Sequence, residues 1–199
     1  LNEDGSAARR PQLEIFAREH GLTFVTVAQL VAYRLRTERL VHRIADARLP
    51  TTHGEWRIIG YHNDVDQHEH VALVHGNVQG ESGVLVRMHS KCLTGDVFHS
   101  QRCDCGWQLD TAMEMIQAEG RGVIVYLPAR TSPADELAAM SGSAKPVVGD
   151  HPLREFGVGA QVLADLGLHR IKLLTNNPRK IAGLSGFGLE VCESVSLGA

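Results

Sequence analysis

Apolar positions along the chain fall first at helical and later at strand spacing. Between Pro11 and His20, Leu13, Phe16 and Ala17 share one face of a predicted helix that Pro11 suits at its first turn and Gly21 ends. A short β-branched run, Leu22 to Val27, precedes a second helix predicted from Ala28 to about Arg36. The charged stretch Arg34 to Arg48 reads as an exposed helix or linker, with Pro50 ending it. Beyond Gly54, the runs Trp56 to Tyr61, Glu69 to His75 and Val84 to His89 alternate or are β-branched, which predicts a sheet of adjacent strands. A helix follows from about Trp107 to Glu119, with Leu109, Met113 and Ile116 on one stripe and Gly120 closing it. The run Gly122 to Leu127 predicts a buried strand, about Gly157 to Leu166 a helix, and Arg170 to Leu174 another strand. Between them, Pro128 to Gly149 is rich in Ala, Ser, Pro and Gly and reads as a loop with one helix-like piece near Ala134 to Met140. The expected fold class is α/β to α+β, a mixed sheet with flanking helices after a small N-terminal helical and strand appendage.

Composition narrows the partners more than the fold. A chain of 199 residues, 43% hydrophobic and 22% charged, is an ordinary globular protein of one large domain or one domain with an appendage. A net charge of −3 with both signs interleaved gives no broad field for nucleic acid or an anionic membrane. No apolar run approaches the roughly 20 residues that span a bilayer, and Leu1 to Arg10 is polar, so the expected location is cytoplasmic. In that compartment four cysteines, three of them clustered, point to a metal or to catalysis rather than to disulfides.

The cluster is Cys92, Cys103 and Cys105. Two ligands separated by one residue can bite one ion, a third arrives from a preceding strand end, and soft sulfur donors suit zinc. Three ligands leave a position open, as in catalytic sites; Cys192, His89 or His99 would close the set into a structural site, and three buried thiols without metal is the remaining reading. A second candidate region, Leu173 to Lys180, places Thr175, Asn176, Asn177, Arg179 and Lys180 after a buried strand at the expected start of a helix. Free backbone N–H groups there would receive an anion, although an Asn-Asn-Pro turn with solvated cations fits the same residues. Arg87, ending the strand before the cysteines, serves a phosphate or a surface salt bridge equally well on local grounds. Arg154 reads only as a charge near a helix start.

Three segments together resemble the GTP cyclohydrolase II family: Arg87 to Asp96, Arg102 to Leu109, and Leu173 to Lys180, in the family's order. The resemblance runs from about Arg43 to Leu197. It implies one zinc ion on Cys92, Cys103 and Cys105, and nucleotide contacts from Arg87, Gln108, Thr175 and Lys180. It further puts Arg154 on the family's catalytic arginine, acting at the α-phosphate. The implied chemistry is attack on C8 of the GTP imidazole ring by water that the metal acidifies, two hydrolytic steps releasing formate, and loss of diphosphate with the help of magnesium. A homodimer and a place in riboflavin synthesis come with the resemblance. Residues 1–42 resemble the tail and linker of 3,4-dihydroxy-2-butanone-4-phosphate synthase, which leaves 43–199 as the zinc domain. Four departures fall on the nucleotide side. Lys91 replaces an acidic residue; Pro128 to Pro133 stands where a Glu-Gly-Arg segment is expected; the next helix, which supplies a tyrosine near the zinc in the family, is shortened or lost; and Pro152 replaces an aspartate, with Asp150 two residues away. The expected function is therefore ring opening of GTP or a close purine nucleotide. The alternatives are a catalytically silent relative that keeps zinc for folding and ring opening with altered products.

Overall fold

The structure, a computed structural model, describes residues 5–64, 69–129, 132–141, 152–177 and 188–198; the side chains of 28, 31–32, 35–36, 139 and 152–156 lie outside that description. Two helices come first, α1 (Arg10–Glu19) and α2 (Val27–Thr37), followed by four strands, β1 (Val41–Thr51), β2 (Gly54–Asn63), β3 (Glu69–His75) and β4 (Val84–Ser90). Helix α3 (Cys105–Glu119), strand β5 (Gly122–Leu127), helices α4 (Pro133–Met140) and α5 (Pro152–Asp165), and strands β6 (Arg170–Leu174) and β7 (Glu190–Val195) complete the order. All seven strands form one sheet, in the order β1-β2-β3-β5-β4-β6-β7. The β1, β2, β3 and β5 pairings are antiparallel, whereas β5-β4, β4-β6 and β6-β7 are parallel.

Three sequence expectations are corrected here. The stretch Arg34 to Arg48, expected as a charged helix or linker, is helical only to Thr37 at the end of α2 and is strand from Val41, and Pro50 lies inside β1 opposite Glu55. The misreading has a physical cause: β1 is an edge strand whose residues are mostly exposed, so it lacks the alternation of a half-buried strand, and an edge tolerates a proline without a ladder donor. The N-terminal appendage is also helical only, since residues 22–26 form no strand. Moreover, β3 and β4 are not neighbours, because β5 inserts between them.

Each face of the sheet has its own core. On one, Val84, Val86, Val123, Val125 and Ile171 pack with Val158, Val162 and Leu163 of α5. On the other, Leu85, Ile124 and Leu174 pack with Ala112, Met113 and Ile116 of α3. The period-two alternation of 84–86 and 123–125 thus sends adjacent residues to opposite cores, as a strand covered on both faces requires. Gly120, at φ +80°, ends α3 in the left-handed conformation that glycine adopts without strain, as the sequence suggests.

This topology places a reversal of strand order at the centre of the sheet. From the central β4 the chain crosses through α3 to β5 on one side, and from β5 it returns through α5 to β6 on the other side of β4. Strand order therefore reverses at β4, and the two crossover helices lie on opposite faces. In such sheets a crevice opens beyond the carboxyl end of the strand where the order reverses. Among the described residues no helix is long and apolar enough to cross a membrane.

Candidate active site

The carboxyl end of β4 leads directly into the cysteines. Cys92 follows the strand, a single wide helical turn spans Leu93–Val97, and Cys105 opens α3. The three Sγ atoms lie within 4.8 Å of one another, and among the described residues this is the one group of three or more His, Cys, Asp or Glu so arranged. His89 and Cys192 do not join it. His89 is buried and turned to Asp96, while Cys192 is exposed on β7 and its thiol donates to the Ile171 carbonyl. His99 is exposed and likewise outside the cluster.

Donor spacing fits a tetrahedral cation. Two sulfurs bound to one zinc ion at about 2.3 Å each stand about 3.8 Å apart, and Cys92 Sγ and Cys103 Sγ are 3.7 Å apart. The space between the thiols is kept clear by a glycine. A Cβ on Gly95 would sit 2.8 Å from Cys103 Sγ and 3.1 Å from Cys92 Sγ, and one on Gly106 would run into the Gly95 carbonyl. Burial, and after it the two neighbouring thiols, pushes the Cys105 thiol far above its ordinary value. A bound cation reverses that preference, because a coordinating thiol is deprotonated outright.

A buried polar network holds the turn that carries Cys92. Asp96 accepts from the Cys92 N–H at 2.9 Å, from the Tyr126 hydroxyl at 2.7 Å, and from His89 Nε2 at 3.0 Å. His89 stacks on the Tyr126 ring at 5.5 Å. Burial lowers the His89 pKa despite the neighbouring Asp96, which keeps the imidazole neutral and makes Nε2–H the donor. Burial, then the bond to Asp96, raises the Tyr126 hydroxyl pKa, so it too stays a donor.

Beside the thiols lies a second cluster containing three of the residues expected to contact nucleotide. Arg87 Nη1 donates to the Leu174 carbonyl at 3.1 Å, and Nη2 donates to Gln108 Oε1. Gln108 Nε2 in turn donates to Asp104 Oδ2 at 2.5 Å. Arg87 Nε is buried and has no acceptor among the described residues. Burial lowers the Arg87 pKa, opposed by Cys105 and Asp104. Thr175 follows Leu174, so the ends of β4 and β6 and the start of α3 bring Arg87, Gln108 and Thr175 to one corner. Next to that corner an open depression of about 530 Å³ is lined by Asp104, Trp107, Asn176, Ser196 and Gly198.

At Thr175 the structure shows what the end of β6 already bonds within the chain. Its N–H is taken by the Val195 carbonyl at 2.9 Å, and its hydroxyl accepts from the Asn177 N–H at 3.0 Å. Asn176 Oδ1 accepts from the Leu197 N–H at 2.9 Å. The Thr175 N–H and Asn176 Oδ1 thus tie β6 to the end of β7, while the Thr175 hydroxyl, used here only as an acceptor, keeps its proton to donate. Lys180 lies outside the described residues. Arg154 is in the first turns of α5, but its side chain lies outside the description.

Sequence reasoning missed Asp96, Tyr126 and Glu136 as parts of the site. Asp96 stands in the quoted Thr94-Gly95-Asp96 segment, which is a local signal. Glu136 has none: it comes from α4, where the Thr94 hydroxyl donates to its Oε1, and that oxygen lies 3.7 Å from Cys92 Sγ. The helix-like piece expected near Ala134 to Met140 is present as α4, eight residues long, and carries an acid to the thiols.

Comparison with known proteins agrees with this geometry. Residues 42–196 match the sequence model of the family described as GTP cyclohydrolase II. The riboflavin biosynthesis protein RibBA of Salinispora tropica is 49% identical over 99% of this chain and 52% of its own length. That of Bacillus subtilis is 48% identical over 99% of this chain and 53% of its own. The chain thus spans about half the length of the curated relatives it matches. A solved structure described as RibBX, a two-domain 3,4-dihydroxy-2-butanone 4-phosphate synthase from A. baumannii, is 32% identical with a TM-score of 0.68, over 98% of this chain and 52% of that one. By the family model, the extent of these matches and the thiol triad at the end of β4, the chain belongs to the GTP cyclohydrolase II family.

Proposed function

We propose that this chain is a zinc-dependent hydrolase that opens the imidazole ring of GTP or a close purine nucleotide with release of formate, as a step of riboflavin synthesis. The observation that carries it is the meeting, where strand order reverses at β4, of a three-thiol cluster with the Arg87–Gln108 pair. Cys92, Cys103 and Cys105 would hold the zinc, which when bound supplies Lewis acidity and makes water a nucleophile near neutral pH. Asp96 holds the Cys92 backbone, and Gly95 leaves the ion its volume. Arg87 brings a fixed positive charge with an unused buried donor, suited to a base oxygen or a phosphate. Gln108 supplies an amide that orients it and offers base-edge bonding, and the proposal gives Thr175 and Lys180 nucleotide contacts and Arg154 a role at the α-phosphate. Magnesium would arrive with the phosphates.

Residues 1–42 are read as the tail of a synthase-like unit with its linker, ahead of a zinc domain over 43–199. Alignment of nearly the whole chain with about half of longer relatives supports this. Free thiols 3.7 Å apart favour a reducing compartment such as the cytoplasm. A homodimer is the family expectation.

Specific observations favour a second reading, a silent or altered-product relative. Lys91 stands exposed beside Cys92, Pro152 begins α5 where an acid is expected, and the solved relative is named for a synthase. The test is mass spectrometry of zinc-loaded protein with magnesium and GTP, quantifying formate, diphosphate and the purine product together. Formate and diphosphate in step support the cyclohydrolase. Formate alone means altered products, and neither means a silent relative. Loss of Arg87's charged hydrogen bonds in Arg87→Ala should weaken GTP binding about 10- to 100-fold in calorimetry.

A further inference from the structure

Glu136 is the one acidic side chain of α4 that turns toward the thiols. It is half-buried, whereas its neighbours Asp135 and Leu137 are exposed. Its Oε1 accepts from the Thr94 hydroxyl and lies 3.7 Å from Cys92 Sγ. A sulfur at about 2.3 Å and an oxygen at about 2.1 Å from one tetrahedral zinc ion are separated by about 3.6 Å. The distance from Cys92 to the carboxylate, a thiol hydrogen bond in the metal-free site, is thus already close to that of two donors on one ion.

Charge makes the same point. Among the described residues no lysine, arginine or histidine pairs with the Glu136 carboxylate, so a cation is the partner it lacks. The nearby Arg102 guanidinium is used elsewhere, donating to the Met140 carbonyl at 3.0 Å. That bond fixes the far end of α4 to the loop between the cysteines, while the Ser132 hydroxyl accepts from the Asp135 N–H at 3.1 Å and caps the near end. Glu136 is thus presented by a helix anchored at both ends.

We propose that Glu136 is the fourth donor of the metal centre when no substrate is bound, occupying the position that the three thiols leave open. This rests on the reading of the triad as a zinc site. The carboxylate stands on the Cys92 side of the triad and outside its 4.8 Å circle, so reaching the ion takes a swing of the side chain about its own torsions. Substrate then enters by displacing a protein ligand, and α4 reports on the occupancy of the metal.

Cobalt(II) tests this in the chain of residues 1–199, because its thiolate charge-transfer bands report the cysteines and its visible ligand-field bands report the fourth donor. Wild-type protein should show both, and Glu136→Gln should keep the charge-transfer bands, shift the ligand-field bands and bind zinc about tenfold more weakly in chelator competition. Added acetate should restore the wild-type ligand-field spectrum in Glu136→Ala. Identical ligand-field spectra and zinc affinities for wild type and both variants would overturn the role of Glu136 alone. Absence of charge-transfer bands in the wild type would overturn the zinc reading with it.

Discussion

At the scale of single residues, the site depends on what is left out as much as on what is present. Gly95 is needed for its missing Cβ, which would lie 2.8 Å from Cys103 Sγ and 2.9 Å from Cys105 Cβ. Gly95→Ala should force the cysteines apart, lowering zinc affinity in chelator competition and costing about 1–3 kcal/mol of stability in urea unfolding. His89 gives a pH signature. Burial holds its folded pKa below the ordinary 6.5, so below that pH the unfolded chain takes up a proton that the folded chain refuses. Its contribution is therefore intact above 6.5 and declines as pH falls toward the folded value, by at most about 1.4 kcal/mol per pH unit. Denaturation at a series of pH values should show a shallower acid decline for His89→Gln than for wild type.

Elements differ in how far the sequence reveals them. The Cys92, Cys103 and Cys105 set was legible because two ligands sit one residue apart at a helix start and the third follows a strand of clear β-branched pattern. Strand β1 was not, because an edge strand need not alternate, and its Arg43, Asp46 and Arg48 look like a solvated linker. Glu136 was hidden for another reason: its contacts to Thr94 and Cys92 cross 42 and 44 residues of chain, and no local periodicity encodes them. The end of α5 offers a test at this scale. Asp165 there accepts from Arg39 at 2.8 Å, Arg43 at 2.9 Å and the Tyr61 hydroxyl at 3.0 Å, fastening the helix to β1 and β2. Burial first, and then the Asp165 charge, raises the Tyr61 pKa, so its hydroxyl remains a donor. Asp165→Ala leaves that hydroxyl and two guanidinium groups without their shared acceptor and should lower stability by about 1–3 kcal/mol in thermal unfolding.

For the whole molecule, the mixed sheet was foreseeable from strands followed by alternating helix and strand, but its order was not. Inserting β5 between β3 and β4 is a long-range pairing, and it is this insertion, with β6 on the other side of β4, that creates the reversal where the thiols and Arg87 meet. On the proposed reading function follows from topology: the reversal at β4 brings the three thiols of the β4–α3 connection close to Arg87 and Gln108, the residues proposed to hold the nucleotide. The most direct test is a titration of metal-free protein with zinc in the presence of magnesium and GTP, following formate. The account predicts a formate rate that rises in proportion to zinc, levels off at about one ion per chain, and is lost in Cys103→Ser. Full zinc occupancy with no formate at any ratio would contradict it.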